Sequence, residues 1–99
     1  MPYQVEYSPA AVEHLRGLNR RDQVAVIDAV ERQLRLEPTI ETRNRKRMRP
    51  NPIAPWEMRI GDLRVYYDVK DEREAVVQIL AIGVKQRNRV RIGKEEVEL

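Results

Sequence analysis

Apolar and polar residues alternate along two adjoining stretches, 56–60 and 63–69, which the pair Gly61-Asp62 separates. A period of two predicts strands with one buried face, and glycine in a two-residue break predicts a tight hairpin turn. We expect helices to cover the apolar face and a ligand to reach the polar face. The apolar face comprises Trp56, Met58, Ile60, Leu63, Val65, Tyr67 and Val69, and the polar face comprises Glu57, Arg59, Arg64, Tyr66 and Asp68.

The predicted register places Arg59 directly opposite Arg64. Like charges in that position destabilise a strand pair by roughly 0.2–1 kcal/mol. We therefore expect an anion between them, and phosphate is the foremost candidate because the planar guanidinium binds it through two hydrogen bonds. The alternative is that Arg64 pairs with Asp62, Asp68 or Glu57, and spacing alone does not choose between these interpretations.

The stretch before the hairpin predicts a strand followed by two helices. Residues 3–7 alternate as a strand does. Ser8-Pro9 then predicts a helix start, with serine as N-cap and proline at the first helical position. The spacing of Ala11, Leu15 and Leu18 gives this helix one apolar stripe.

A second helix is predicted from Asp22, a good N-cap, to the neighbourhood of Leu36, because Pro38 prevents continuation. The short break between the two helices predicts an αα-hairpin. Residues 38–55 contain four prolines and a basic cluster, and predict a long ordered loop of a kind that is often functional. The expected buried stripe of the second helix is Val24, Ile27, Val30 and Leu34.

Two more strands follow the hairpin. Residues 75–82 are almost wholly apolar and predict a central strand, and residues 88–92 alternate and predict a last short strand. An acidic tail follows, with Glu95, Glu96 and Glu98. The order predicts an α+β fold: an N-terminal strand, an αα-hairpin, and an antiparallel sheet of about three to four further strands with both helices on one face.

The length and composition of the chain change this picture little. A chain of 99 residues predicts a single domain over 1–99. Cysteine is absent, which excludes disulfides and thiolate metal sites. No apolar run approaches the roughly 18 residues of a membrane span, and the N-terminus lacks the apolar stretch of a signal peptide, so we expect a cytoplasmic protein.

The distribution of positive charge is more informative than the net charge of +3. Ten of the 19 basic residues lie in two segments without acids, 43–49 and 85–94. Two such clusters around a strand pair that carries two arginines indicate a site for a polyanion such as nucleic acid. A pair of solvated basic loops is the alternative interpretation.

The residues that a metal site, a nucleophilic catalytic centre or a glycine-rich phosphate loop would need are missing. His14, the single histidine, shares a predicted helix with Glu13, but adjacent helical residues point in different directions, so we expect a surface histidine. A Ser-His-Asp or Cys-His centre lacks its parts and the four glycines are scattered, so we expect no metal and no cofactor. Arginine, lysine and tyrosine remain. RNA supplies its own nucleophile in the 2′-hydroxyl, so a base, an acid and cations are sufficient to cleave it.

The element order and the segments 56–68 (WEMRIGDLRVYYD) and 82–90 (IGVKQRNRV) together resemble the RelE/ParE superfamily of toxins from type II toxin–antitoxin systems. The resemblance covers nearly the whole chain and implies a small toxin held inactive by a cognate antitoxin protein. RelE-like members are ribosome-dependent endoribonucleases that cleave mRNA without a metal, whereas ParE-like members inhibit DNA gyrase. We interpret the chain as an mRNA interferase. A gyrase inhibitor and a non-toxic RNA-binding relative are the alternatives.

The resemblance also implies roles for residues at matching motif positions. Arg64 matches an arginine that contacts the scissile phosphate in RelE-like enzymes. Lys85 falls where those enzymes carry a second catalytic arginine, and Arg59 matches a basic position on the preceding strand.

Two positions depart from the RelE-like pattern: Glu57 stands where a lysine is common, and the departure at Arg91 is the more serious. Arg91 stands where those enzymes carry a tyrosine that stacks on the substrate base and assists proton transfer. Because arginine stays protonated, it is a poor general base, and Glu57 and Tyr66 become the candidates for proton transfer. The predicted substrate contacts are Arg45, Lys46, Arg47, Arg87, Arg89 and Arg91.

Overall fold

The computed structural model describes residues 2–70 and 73–98. Its fold is α+β, as predicted, with both helices packed on one face of a sheet. More strands follow the helices than expected, because β2 and β7 have three residues each and leave no recognisable pattern. In chain order the elements are β1 (Gln4–Tyr7), α1 (Pro9–Arg16), α2 (Arg20–Gln33), β2 (Arg45–Arg47), β3 (Trp56–Ile60), β4 (Leu63–Lys70), β5 (Val76–Gln86), β6 (Arg89–Ile92) and β7 (Glu95–Val97).

The strands form one sheet in the order β2-β3-β4-β5-β6-β7, and β1 joins it beside β5. Pairing is antiparallel as expected, except that β1 runs parallel to β5. One edge of β5 pairs with β4, whereas the other pairs first with β1, at 76–79, and then with β6, at 83–86. Residues 80–82 therefore have no strand partner on that second edge.

The helices begin at side-chain caps. The Ser8 hydroxyl accepts a hydrogen bond of 3.0 Å from the N–H of Ala11, as predicted for a serine N-cap. The cap of α2 is Asn19, whose Oδ1 accepts a hydrogen bond of 2.8 Å from the N–H of Asp22. The prediction of Asp22 as N-cap was therefore wrong. Its carboxylate lies in the first turn, where the helix dipole favours negative charge.

The alternation predicted for the β3–β4 hairpin is confirmed. All seven apolar positions face the core beneath the helices, and five of them are buried. The ring of Tyr67 stacks on Trp56 with 6.0 Å between centroids, and its hydroxyl donates a hydrogen bond of 2.7 Å to the Pro38 carbonyl. Gly61 forms the turn at φ +58, a conformation that glycine adopts at little cost.

The prediction for the buried stripe of α2 was partly wrong. Val24 and Ile27 are 55% and 43% exposed, and α2 ends at Gln33 rather than near Leu36. Both possible stripes have helical spacing, so the choice depends on which face fits the sheet, and a face with a small alanine allows close packing. The buried face is formed by Val26, Ala29, Val30 and Leu34.

A second, small core covers part of the sheet face that was expected to be open. Tyr66 lies at its centre and is fully buried, contrary to the prediction that it faces a ligand. The loop 48–54 and the β6–β7 hairpin supply the cover, which includes Ala54, Ile92 and Val97. The part of this face that stays accessible lies next to the small core.

Helix α1 fixes a β-bulge in the central strand. The β4–β5 register shifts after Tyr66, which leaves Leu80 as the extra residue. The Ser8 hydroxyl donates a hydrogen bond of 3.1 Å to the Leu80 carbonyl, and Nδ1 of His14 accepts one of 3.2 Å from the N–H of Ile82. His14 is therefore a structural residue rather than the surface histidine expected, and partial burial lowers its pKa.

Candidate functional site

A pocket of about 770 Å³ lies beside the small core, on the sheet face turned away from the helices. Its floor is formed by side chains of β3, β4 and β5, and its two walls are formed by residues 46–52 and by the β6–β7 hairpin. Seven of its described lining residues are basic and two are acidic. The charged lining residues are Lys46, Arg47, Arg49, Glu57, Arg59, Arg64, Lys85, Arg89 and Glu98.

Arg64 lies at the floor of the pocket and is only 6% exposed. Its Nη1 donates hydrogen bonds of 2.8 Å to the Gly61 carbonyl and 2.9 Å to the Leu63 carbonyl. Within residues 2–70 and 73–98, no carboxylate forms an ion pair with it, so the acidic partners considered above are not found. A charge removed from water is costly without a counter-charge, and the pocket gives an anion access to this guanidinium.

Arg59 lies opposite Arg64 across the β3–β4 ladder, as predicted. Glu57 relieves part of the repulsion, because its Oε1 lies 3.3 Å from Nε of Arg59 and 3.8 Å from Nζ of Lys46. Glu57 is 5% exposed, whereas its two cationic partners are about half exposed. The protein thus supplies its own anion on the Arg59 side of the pair and none on the Arg64 side.

Tyr66 lies opposite Glu57 in the β3–β4 register and is buried in the small core. Its hydroxyl forms no hydrogen bond of ordinary geometry, although it is near enough to Glu57 to be affected by that charge. Burial raises the pKa of Tyr66 strongly, the Glu57 carboxylate raises it further, and Arg64 and Arg59 offset part of the increase. Tyr66 therefore stays protonated at neutral pH and cannot act as a base.

Lys85 extends the floor toward the β6–β7 wall. Its backbone N–H donates a hydrogen bond of 2.7 Å to the Asp62 carbonyl, which ties this end of β5 to the β3–β4 turn. Two residues earlier, Gly83 allows β6 to approach closely. A Cβ at Gly83 would lie 2.6 Å from Cγ1 of Val90 and 2.9 Å from the Arg91 carbonyl oxygen, so a side chain there displaces the wall.

Three of the six predicted substrate contacts, Lys46, Arg47 and Arg89, line the pocket. Arg47 does so only in part, because it pairs with Trp56 in the β2–β3 register and its guanidinium lies over the Trp56 ring, 5.7 Å from the ring centroid. Arg45 does not line the pocket. It pairs with Met58 in the β2–β3 register and so lies on the helix side of the sheet, 8% exposed. Its Nη1 donates a hydrogen bond of 2.7 Å to the Gln33 carbonyl at the end of α2. Arg45 therefore has a structural contact, and the prediction that it contacts substrate is not supported.

Arg87 and Arg91 also lie outside the pocket lining. Arg91 is paired with Val84, which packs against the helix-side core, so its neighbour Val90 is the β6 residue that lines the pocket. Val90 lies on the pocket face of the sheet because β6 packs on the small core. Arg87 is exposed in the β5–β6 turn at φ +59.

Sequence reasoning missed the residues that shape the loop wall. Oδ1 of Asn51 accepts hydrogen bonds of 2.8 Å and 3.1 Å from the N–H groups of Ile53 and Ala54. Its Nδ2 donates hydrogen bonds of 2.7 Å to the Arg49 carbonyl and 2.9 Å to the Ala54 carbonyl. These bonds fold the loop over Tyr66 and place Arg49 on the pocket wall. The signal was the asparagine between two prolines, since asparagine side chains stabilise turns in this way.

Two other kinds of feature are absent from the described part of the chain. No group of three or more histidine, aspartate or glutamate side chains is arranged there to hold a metal ion. No helix there is long and apolar enough to cross a membrane.

A sequence family described as "ParE toxin of type II toxin-antitoxin system, parDE" matches residues 5–89. The chain belongs to this family. It is similar to the solved RelBE2 toxin–antitoxin complex of Mycobacterium tuberculosis, at 27% identity and TM-score 0.73, over 86% of this chain and 100% of that one. It also shares the fold of the archaeal RelE–RelB complex from Pyrococcus horikoshii OT3, at 22% identity and TM-score 0.69, over 88% of this chain and 99% of that one. No curated protein matches it in sequence.

The resemblance inferred from the sequence is thus confirmed: the protein is a type II toxin of the RelE/ParE superfamily. The family match includes the pocket floor and ends at Arg89, so nearly all of the β6–β7 wall lies beyond it. Because one fold can host different activities, the family match does not give the activity of this chain, which depends on the chemistry of its site.

Proposed function

We propose that this toxin is an endoribonuclease that cleaves mRNA on the ribosome and uses no metal or other cofactor. Arg64 carries the proposal, because it is a buried guanidinium at the floor of an accessible basic pocket and lacks a carboxylate partner in the described chain. Two backbone carbonyls orient it. Such a group suits a phosphodiester, which supplies negative charge and matches the planar fork of arginine.

In the proposed reaction, Glu57 takes the proton of the substrate 2′-hydroxyl. The 2′-oxygen then attacks the phosphorus, and the bond from phosphorus to the 5′-oxygen breaks. The products are a 2′,3′-cyclic phosphate and a 5′-hydroxyl whose proton comes from water. Arg64, with Lys85 and Arg59, stabilises the charge that develops on the phosphoryl oxygens.

Glu57 is preferred to Tyr66 as the base, because the raised pKa of Tyr66 keeps its hydroxyl protonated. Tyr66 instead packs in the small core beside the carboxylate. The loop wall, with Lys46 and Arg49, is proposed to follow the RNA backbone on either side of the cleaved bond.

Primer extension on a translated mRNA tests the proposal. Wild-type toxin should produce defined cleavage ends, and Arg64→Ala should reduce cleavage about 100-fold or more, the usual effect of removing one transition-state donor. Arg91→Ala removes the same charge from the other face of the sheet and is the matched control. Intact transcripts with wild-type toxin, or equal cleavage by Arg64→Ala, contradict the proposal.

Inhibition of DNA gyrase is the second candidate. Two observations favour it. The matching family is described as a ParE toxin, and none of the described pocket-lining residues is a tyrosine or histidine. A supercoiling assay with purified gyrase distinguishes the two. If the toxin blocks supercoiling and leaves translated mRNA intact, this second function replaces the first.

For either activity we propose a cognate antitoxin as partner, because both similar structures are toxin–antitoxin complexes. The exposed apolar side chains of Val24 and Ile27 on α2 suit an amphipathic helix, and the basic pocket suits acidic residues of the same protein. Co-purification with the product of an adjacent reading frame tests this, and Ile27→Asp should weaken the complex more than Arg21→Asp on the same helix.

A further inference from the structure

We propose that Glu98, at the end of the β6–β7 hairpin, competes with the phosphates of a bound ligand for Arg89 and so limits the affinity of the pocket. The proposal rests on the proposed function only in requiring that the pocket binds a polyanion. It concerns a residue beyond the range that the family match covers.

The charges of the pocket single out Glu98. Glu57 and Glu98 are the two acidic residues among its described lining residues. Glu57 belongs to the floor and is already held by Lys46 and Arg59. Glu98 lies on the wall instead, where its Oε1 is 3.4 Å from Nε of Arg89.

The hairpin holds Glu98 in that place. Val90 pairs with Val97 in the antiparallel register, so the next residues outward, Arg89 and Glu98, come opposite each other. Val97 packs against the small core and anchors the end of β7. The register therefore sets this carboxylate beside Arg89, and both residues line the pocket.

The ion pair is weak enough to exchange. Both side chains are more than half exposed, and exposed pairs of this kind contribute little to stability. An RNA backbone crossing the wall offers Arg89 a phosphate in place of the carboxylate, while Glu98 repels that phosphate. Glu98 therefore makes the pocket favour ligands that have enough other phosphate contacts to displace it.

The strand also offers a matched control. Glu96 has the same charge and lies two residues from Glu98, but it pairs with Arg91 and is absent from the pocket lining. Glu98→Gln and Glu96→Gln change the net charge equally, so a difference between them reports position rather than overall charge.

The test is the binding of a fluorescent 2′-O-methyl oligouridylate, which resists 2′-hydroxyl cleavage, measured by anisotropy at low salt. Glu98→Gln should bind about two- to fivefold tighter than wild type, and Glu96→Gln should bind clearly less tightly than Glu98→Gln. In an Arg89→Ala background, Glu98→Gln should lose this advantage. The difference should also vanish at about 1 M salt, where exposed charges are screened.

Each outcome decides between the two proposals. If wild type binds and Glu98→Gln binds no tighter than Glu96→Gln, the inference about Glu98 is wrong and the polyanion pocket stands. If neither wild type nor Glu98→Gln binds the oligonucleotide, the polyanion pocket itself is wrong and the inference fails with it.

Discussion

The two faces of the central hairpin use alternate residues of the same strands in opposite ways. On the helix side, Met58, Val65 and Tyr67 are fully buried in an apolar core. On the pocket side, Glu57 and Arg64 are almost as buried but charged. Apolar residues at such positions often give equal or greater stability than buried charges. The helix side therefore maintains the fold, whereas the pocket side retains charges that add little stability and that the proposed binding of a polyanion explains.

The largest expected effects separate these two roles. Met58→Ala should lower the free energy of unfolding by about 2–5 kcal/mol, because it removes a buried side chain from the helix-side core. Arg64→Met should leave that free energy unchanged or raise it, since it removes a buried charge that has no carboxylate partner. Urea denaturation measures both changes in the free energy of unfolding. In the oligonucleotide assay the order should reverse, with Arg64→Met losing more affinity than Met58→Ala. A large destabilisation by Arg64→Met contradicts the division between the faces.

A smaller effect is expected where β6 meets β5. Gly83→Ala should lower the free energy of unfolding by about 1–3 kcal/mol, because its Cβ would overlap Val90 and the Arg91 backbone. Hydrogen exchange at β6 amides should rise, because the displaced strand is the pocket wall. Gly61→Ala is the control: nothing lies within 4 Å of its Cβ, so it reports the strain of φ +58 alone. Unchanged protection of β6 in Gly83→Ala contradicts the close approach.

Two adjacent tyrosines offer a finer comparison of the faces. Tyr67→Phe should cost about 1 kcal/mol, because it removes the hydrogen bond to the buried Pro38 carbonyl. Tyr66→Phe should be neutral or slightly stabilising, because its buried hydroxyl forms no hydrogen bond of ordinary geometry. Thermal or urea unfolding of the two variants measures the difference. Equal losses indicate that the Tyr66 hydroxyl has a stabilising partner after all.

The smallest expected effect concerns the His14 contact with Ile82. Burial lowers the folded pKa of His14 from its usual 6.5, so the unfolded chain binds the proton more tightly. Stability should therefore be fully retained above pH 6.5 and be lost as the pH falls toward the folded pKa. His14→Asn keeps an acceptor without this titration and serves as the control. If both proteins lose stability equally between about pH 6.5 and 5, His14 is not the responsible group.

Local sequence patterns were enough to predict the hairpin and the apolar face that it turns toward the helices. The alternation of apolar and polar residues and the two-residue turn were sufficient to place Arg59 opposite Arg64, because the alternation and the turn each depend on residues close in the chain. The same local segments carried the family resemblance that the match over 5–89 confirms.

Which basic residues meet in the pocket can be seen only in the folded chain. Lys46 lines it while Arg45 lies on the other face, because the pairing of the short edge strand β2 sets that alternation. Val90 rather than Arg91 lines it for a similar reason, since β6 follows the bulge at Leu80 and packs on the small core. Such choices depend on contacts between distant segments, and a single residue of shift moves a side chain to the opposite face.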